Sequence, residues 1–149
     1  MFSYRHAYHA GNHADVLKHI TLIALLNYLT TKDKALACID THAGTGVYEL
    51  SGKQAQTSGE AQDGIWRLQT WADSQPAAGL APAIKTYLDL IEEFDPRGKT
   101  YPGSPFIMHK LLRMARPVAE TDVQDRLHLY ELNPRDARLL QENVDQLQN

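Results

Sequence analysis

Ala35-Leu-Ala-Cys-Ile-Asp40, running into Thr41-His-Ala-Gly-Thr-Gly46, is the stretch on which the fold turns. Its first half is a short continuous apolar run, the pattern of a strand buried on both faces of a parallel sheet. Its second half follows a carboxylate, Asp40, and offers the backbone amides of Gly44 and Gly46 without side-chain obstruction. In α/β folds that carboxyl edge of the sheet is where ligands bind. The plain alternative is that the glycines make a tight turn and nothing more.

Outward from this stretch the pattern alternates. Asn12 is a good N-cap, and Val16, Leu17, Ile20, Ile23 and Leu26 predict a helix over about 14–30. Residues 51–60 are rich in Ser, Gly and Gln and read as a loop, after which Ile65, Leu68 and Trp71 predict a helix. The Pro- and Gly-bearing residues 75–82 break it, and Ile84, Tyr87, Leu88 and Ile91 predict the next, as far as Phe94. Residues 97–105 read as a loop containing Tyr101-Pro-Gly-Ser-Pro105, whose last proline suits the first turn of a helix that runs to Pro117. Leu127-His-Leu-Tyr-Glu131 alternates like a strand ending on a carboxylate, and Pro134 opens a final helix.

This order is the beginning of a parallel α/β sheet, with strands 36–40 and 127–131 expected side by side. Two strands do not finish such a sheet, and the last helix has too little to pack against. The expected organisation is a motif helix, strand and Gly-rich turn over 1–50, a helical insertion over 51–96, and a continuation of the core over 97–149. A fragment, or a chain that relies on a partner, fits that picture.

Of the 149 residues 43% are apolar and 22% charged, an ordinary globular composition. The apolar run 20–29 is too short to span a bilayer, and the N-terminus lacks the charged and apolar regions of a signal peptide, so a cytoplasmic protein is expected. Cys38, the sole cysteine, is expected to be a buried, inert thiol. The net charge of -3 argues against nucleic acid on average, but residues 97–116 carry five cations (Arg97, Lys99, Lys110, Arg113, Arg116) and no carboxylate. Acidic residues gather at 89–95 and 120–125. Such segregation lets one face meet phosphates, a solvated basic helix face being the equal alternative.

Glu131 is placed to accept hydrogen bonds from both hydroxyls of a ribose, which together with Asp40 and the glycines points to an adenosine-containing cofactor. A dinucleotide needs a third glycine and an immediate helix N-terminus facing its pyrophosphate, with the acidic residue about twenty positions on. Here Gly46 leads into Val-Tyr-Glu-Leu, and the carboxylate comes far downstream. S-adenosylmethionine, which carries no phosphate, is favoured. The seven histidines do not argue for zinc, because His9 and His13 flank Ala-Gly-Asn, a cap and not a helix interior, with no Cys cluster or His-Glu-x-x-His pattern.

Four segments then carry a family resemblance: Ser3-Tyr-Arg-His-Ala-Tyr-His-Ala-Gly-Asn-His-Ala-Asp-Val-Leu-Lys-His19, Asp40-Thr-His-Ala-Gly44 with its strand, Tyr101-Pro-Gly-Ser-Pro105, and Glu131-Leu-Asn-Pro134. Over essentially its whole length the chain resembles the bacterial family that methylates N6 of an adenine in 23S ribosomal RNA. Members were earlier described as proteins for using external DNA as a nutrient. The resemblance implies an incomplete Rossmann-like class I methyltransferase sheet with a small helical insertion, S-adenosylmethionine as cofactor, 23S ribosomal RNA as partner, and a monomeric full-length protein. It implies cofactor contacts at His19, His42, Ser104 and Glu131, with Gly44 and Lys18 beside them, and Tyr4 and His6 on the substrate side. The family's Asp-Pro-Pro-Tyr motif, which holds and stacks on the adenine, does not occur in these 149 residues. No catalytic residue is therefore assigned within the chain, and little methyl transfer is expected of it alone. The rivals are a non-catalytic nucleic-acid or cofactor-binding module and, disfavoured by the missing third glycine, a nucleotide-dependent oxidoreductase.

Overall fold

The computed structural model describes residues 5–76, 79–117 and 123–147. They fall into two compact units: one takes the described residues up to Thr21 together with Tyr48–Tyr101, the other takes Leu22–Val47 with the described residues from Pro102 onward.

In the first unit a 3-10 turn, His6–Tyr8, leads into helix α1, His13–Leu29, whose residues from Leu22 onward belong to the second unit. Asn12 caps the helix as expected, its Oδ1 accepting from the Asp15 amide at 2.9 Å. The region read as loop holds a short helix, α2 (Lys53–Ser58), closed by Gly59 at φ +66°, and a second 3-10 turn over Glu60–Asp63. The polar composition hid this helix because it buries a single side chain, Ala55. Helices α3 (Ile65–Asp73) and α4 (Pro82–Phe94) follow close to where periodicity put them. At the start of α3 the backbone of Gly64 runs hard against Gly11: the Ile65 amide donates to Gly11 O at 2.8 Å, and a Cβ on Gly64 would lie 2.0 Å from that oxygen.

Strands β2 (Val47–Glu49) and β3 (Thr100–Pro102) pair with each other, a sheet that the sequence reading missed. Each is three residues long, too short for an alternating pattern to register. Asp95 fixes the turn before β3: its carboxylate accepts from the amides of Arg97, Lys99 and Thr100 and from the Thr100 hydroxyl. Those hydrogen bonds, the Arg97 amide foremost, hold the carboxyl below the usual carboxylate range.

In the second unit β1 (Ala37–Asp40) pairs in parallel with β4 (Arg126–Leu129), Asp40 opposite Leu129, as expected. The expectation of a strand buried on both faces is corrected. Cys38 and Asp40 are half-buried, whereas Ala37 and Ile39 are exposed, Ile39 at 65%. The same alternation runs through β4. Helix α5 (Ser104–Ala115) packs on both strands and accounts for the covered face. Cys38 is thus half-buried, and its thiol is pushed up by burial and by Asp125. Helix α6 (Pro134–Leu147) is better anchored than expected: Leu140 is buried close to Gly46, and Asn143 Nδ2 donates to Thr45 O at 2.8 Å.

Candidate functional site

Beyond the ends of β1 and β4 the parallel pairing continues, the Tyr130 amide donating to Asp40 O at 2.8 Å and the Ala43 amide to Tyr130 O at 3.0 Å. This register lays residues 130–133 alongside the glycine turn. Glu131 stands two residues past the observed strand, not on its last position. Its Oε2 accepts from the Gly44 amide at 3.0 Å and its Oε1 from the Asn133 amide at 2.8 Å. Gly44 holds φ +60°, which suits a residue without Cβ. Asp40 is engaged on both oxygens, Oδ1 by the His42 amide at 3.0 Å and Oδ2 by the Ser104 hydroxyl at 2.6 Å. His42 is exposed, with Nδ1 2.9 Å from the Thr41 hydroxyl. The second unit therefore gathers His42, Gly44, Ser104 and Glu131 with Asp40, which the sequence reading had set beside the glycines, and adds Asn133, which it did not place in the site.

The arrangement suits a polyhydroxylated ligand. An ionised carboxylate has about four lone-pair sites. Glu131 spends two on backbone amides, so it remains able to accept from hydroxyls, and so does Asp40.

In the first unit the motif residues His6, Lys18 and His19 surround Asp15. The Asp15 carboxylate is buried and accepts from His6 Nε2 at 2.8 Å, Gly11 N at 3.0 Å and Lys18 Nζ at 2.7 Å. Burial by itself would raise this carboxyl, but the hydrogen bond from His6 and the positive charge of Lys18 work against it, and the carboxyl is held below the usual carboxylate range. Asp15 lay inside the quoted motif; its spacing from Asn12, three residues on, marked it as a first-turn carboxylate but not as a buried hub. His9 and Asn12 both meet the carboxylate of Glu60, at 3.0 and 2.9 Å.

His19 is 1% exposed. Its Nδ1 lies 2.8 Å from the Tyr101 hydroxyl, and its Nε2 is buried with no partner among the described residues. Burial pushes its pKa down to about 3, against the opposing pull of Asp15. A buried imidazole nitrogen with no protein partner is the kind of atom that a bound ligand completes. Tyr4 lies outside the described residues.

The basic stretch divides. Arg116 is only 7% exposed, ion-paired with Asp125 and donating to Lys32 O, so it is not available to phosphates. Arg97 folds back on Asp95. Lys110 and Arg113 stand on α5 beside His109, whose pKa is lowered by burial and by those two cations. Of the second acidic cluster, residues 120–122 lie outside the described residues. Among the described residues no helix is long and apolar enough to cross a membrane.

Comparison with known proteins gives the family. Residues 33–149 match the family model described as Ribosomal RNA large subunit methyltransferase D, RlmJ. The chain is 40% identical, over its whole length, to 49% of the Ribosomal RNA large subunit methyltransferase J of Haemophilus influenzae. It is 42% identical, over 94% of its length, to 45% of the Escherichia coli protein of that name. It thus spans about half the length of the curated relatives it matches. A crystal structure of a protein from Legionella pneumophila superposes with a TM-score of 0.69 at 36% identity, covering 89% of this chain and 44% of that one. The parallel β1–β4 pair, the glycine turn and the motif helix are thus parts of an incomplete Rossmann-like α/β fold, and the chain belongs to the RlmJ family of ribosomal RNA large subunit methyltransferases.

Proposed function

We propose that the full-length form of this chain methylates N6 of an adenine in 23S ribosomal RNA in the cytoplasm, as a monomer, and that the chain itself holds the cofactor, S-adenosylmethionine. The observation that carries the reading is the meeting of Glu131 with the Gly44 amide beyond the ends of the two parallel strands. The relatives' name supports a ribosomal RNA substrate. The residues of the second unit fit the cofactor: Glu131 keeps lone pairs for ribose hydroxyls, and Asp40 and Ser104 sit on the same edge. In the first unit His19 Nε2 is buried and has no partner among the described residues. When bound, the cofactor supplies an electrophilic methyl on its sulfonium.

Everything else falls to the chain's own groups. Glu131, with His42, Gly44 and Ser104, orients the adenosine; Lys18 and His19 serve as further cofactor contacts. Tyr4 and His6 serve the substrate side, and the base itself must leave its stack to be reached. The adenine-holding Asp-Pro-Pro-Tyr segment is not among these residues, so the 149-residue chain binds cofactor and turns over little. Calorimetry with S-adenosylhomocysteine tests the reading: Glu131→Gln should weaken binding by roughly tenfold, on the order of 1.5 kcal/mol. Unchanged affinity would remove Glu131 from the site. A labelled-methyl assay on unmodified ribosomal RNA should give activity for a full-length form and almost none for this chain.

A further inference from the structure

His19, Tyr87 and Tyr101 are among the most enclosed side chains of the protein. They stand in single file. The Tyr87 hydroxyl lies 2.7 Å from the Tyr101 hydroxyl, which lies 2.8 Å from His19 Nδ1. The His19 and Tyr101 rings stack at 5.7 Å and 28°, while Tyr87 meets His19 edge-on at 6.1 Å. At the end of the file is His19 Nε2, buried and without a partner among the described residues. Phenylalanine would fill the same apolar space without burying two hydroxyls, and burying a polar group is costly unless it is used.

The file can carry its protons in two orders. Burial keeps the imidazole neutral and both phenols protonated. In one order Tyr87 donates to Tyr101, Tyr101 donates to Nδ1, and the imidazole proton sits on Nε2. That N–H is left over, together with the weakly basic lone pairs of the Tyr87 oxygen. In the reverse order Nδ1–H donates to Tyr101 and Tyr101 donates to Tyr87. Now the Tyr87 O–H is bare, its hydroxyl having no other partner among the described residues, and so is the Nε2 lone pair, an acceptor as strong as the one at Nδ1. Each order leaves one X–H bare, but only the first engages the imidazole imine nitrogen, a much stronger hydrogen-bond acceptor than a phenol oxygen, with a phenol O–H as its donor, so the first order is favoured.

We propose that Tyr87 and Tyr101 are positioning residues that fix His19 as an Nε2–H donor, so that the ligand group it serves is a hydrogen-bond acceptor such as a carboxylate oxygen, and not an amine or ammonium. The ligand half of this inference rests on the cofactor reading above; the tautomer half does not.

Long-range proton–nitrogen correlation spectra of the nitrogen-15-labelled chain, with His19 assigned through His19→Gln, separate the two. The proton should sit on Nε2, with Nδ1 at the position of a hydrogen-bonded imine nitrogen. Tyr101→Phe should move the Nδ1 resonance to that of an unbonded nitrogen and weaken S-adenosylhomocysteine binding by roughly three- to tenfold. Tyr87→Phe leaves the Tyr101 donation in place and should move it much less. A proton on Nδ1 in the wild-type chain would overturn the proposal, as would an Nδ1 resonance unchanged by Tyr101→Phe. Should Tyr101→Phe fail to fold by circular dichroism, the wild-type tautomer still decides. Binding of S-adenosylhomocysteine without movement of the Nε2 resonance would overturn the ligand half. If the wild-type chain bound none, the cofactor reading would fail, while the position of the His19 proton would still judge the file.

Discussion

Burial and the Asp15 carboxylate pull on His19 in opposite directions, and burial wins: the imidazole stays neutral, its pKa pushed down from 6.5 to about 3. The unfolded chain therefore binds more protons than the folded one between those two values, and stability falls as pH falls through that window. Urea unfolding should show a loss on the order of 1–2 kcal/mol between pH 7 and 5. In His19→Gln that part of the slope should vanish, whatever the variant's absolute stability. Asp15 and Asp95 do not confuse the test, since their lowered pKa values act below the ordinary carboxylate range, at more acid pH. An equal slope in both proteins would mean that His19 is not held neutral. At this scale the sequence displayed the residues but not their partners. His19, Ser104 and Glu131 stood out within recognisable segments. Tyr87 read only as one apolar position of a helix, and Asp40 as a ligand-edge carboxylate without its Ser104 partner, because a hydrogen bond between residues 19 and 101 or 40 and 104 leaves no local pattern.

Among the elements, the long helices were legible because each buries a stripe at helical spacing: Tyr87, Leu90 and Ile91 in α4, and Ile107, Met108, Leu111 and Leu112 in α5. What stayed hidden was short, α2 and the β2–β3 pair, whose geometry is set by tertiary contacts and by turns such as the Asp95 knot. The Gly11–Gly64 crossing is another such contact, and it carries a prediction. An alanine at position 64 would set its Cβ 2.0 Å from a backbone oxygen, which no rotamer can relieve. Gly64→Ala should cost several times as much stability as Gly59→Ala, where φ is +66° but nothing stands within 4 Å, so that about 1 kcal/mol of left-handed strain is the whole effect. Equal shifts in urea midpoint would show that the crossing gives way freely. Helix α5 carries a second prediction, from Lys110 and Arg113 beside His109. If this helix meets ribosomal RNA, the double variant Lys110→Glu, Arg113→Glu should weaken RNA binding in a filter assay and lower the salt slope by roughly one to two. An unaltered slope would return the helix face to solvent, and Arg116→Glu is no substitute because that side chain is held by Asp125.

For the molecule as a whole, the parallel order of the two expected strands was legible from their carboxylate ends, yet the exposure of one face of the pair was not. An apolar run such as residues 35–39 implies cover, and the covering residues need not be nearby in sequence. In the second unit Leu132 is 98% exposed, and Ile39, Tyr130, Tyr28 and Leu25 are each more than half exposed. Single exposed apolar residues are normal, but here they accompany two strands that, among the described residues, pair only with each other. Each strand then presents a short row of unpaired amides and carbonyls, four residues long, which neither a proline nor a bulge interrupts in Ala37–Asp40 or Arg126–Leu129. Burying a side chain of the size of Leu132 or Ile39 against another copy contributes about 1.5–3 kcal/mol each before the cost of association, enough to favour weak, reversible contacts at micromolar to millimolar protein. Sedimentation velocity should therefore show a weight-average mass that rises with concentration across that range. Ile39→Thr with Leu132→Lys removes the apolar area and places a charge beside the edge, and should shift the onset of association at least several-fold upward in concentration. Circular dichroism must first show that the double variant keeps the fold, which two exposed substitutions should leave intact. A chain that stays monomeric throughout, or a double variant that associates as readily as the original, would mean that this face is indifferent to water and that the strand edges are protected by contacts other than those on its exposed side.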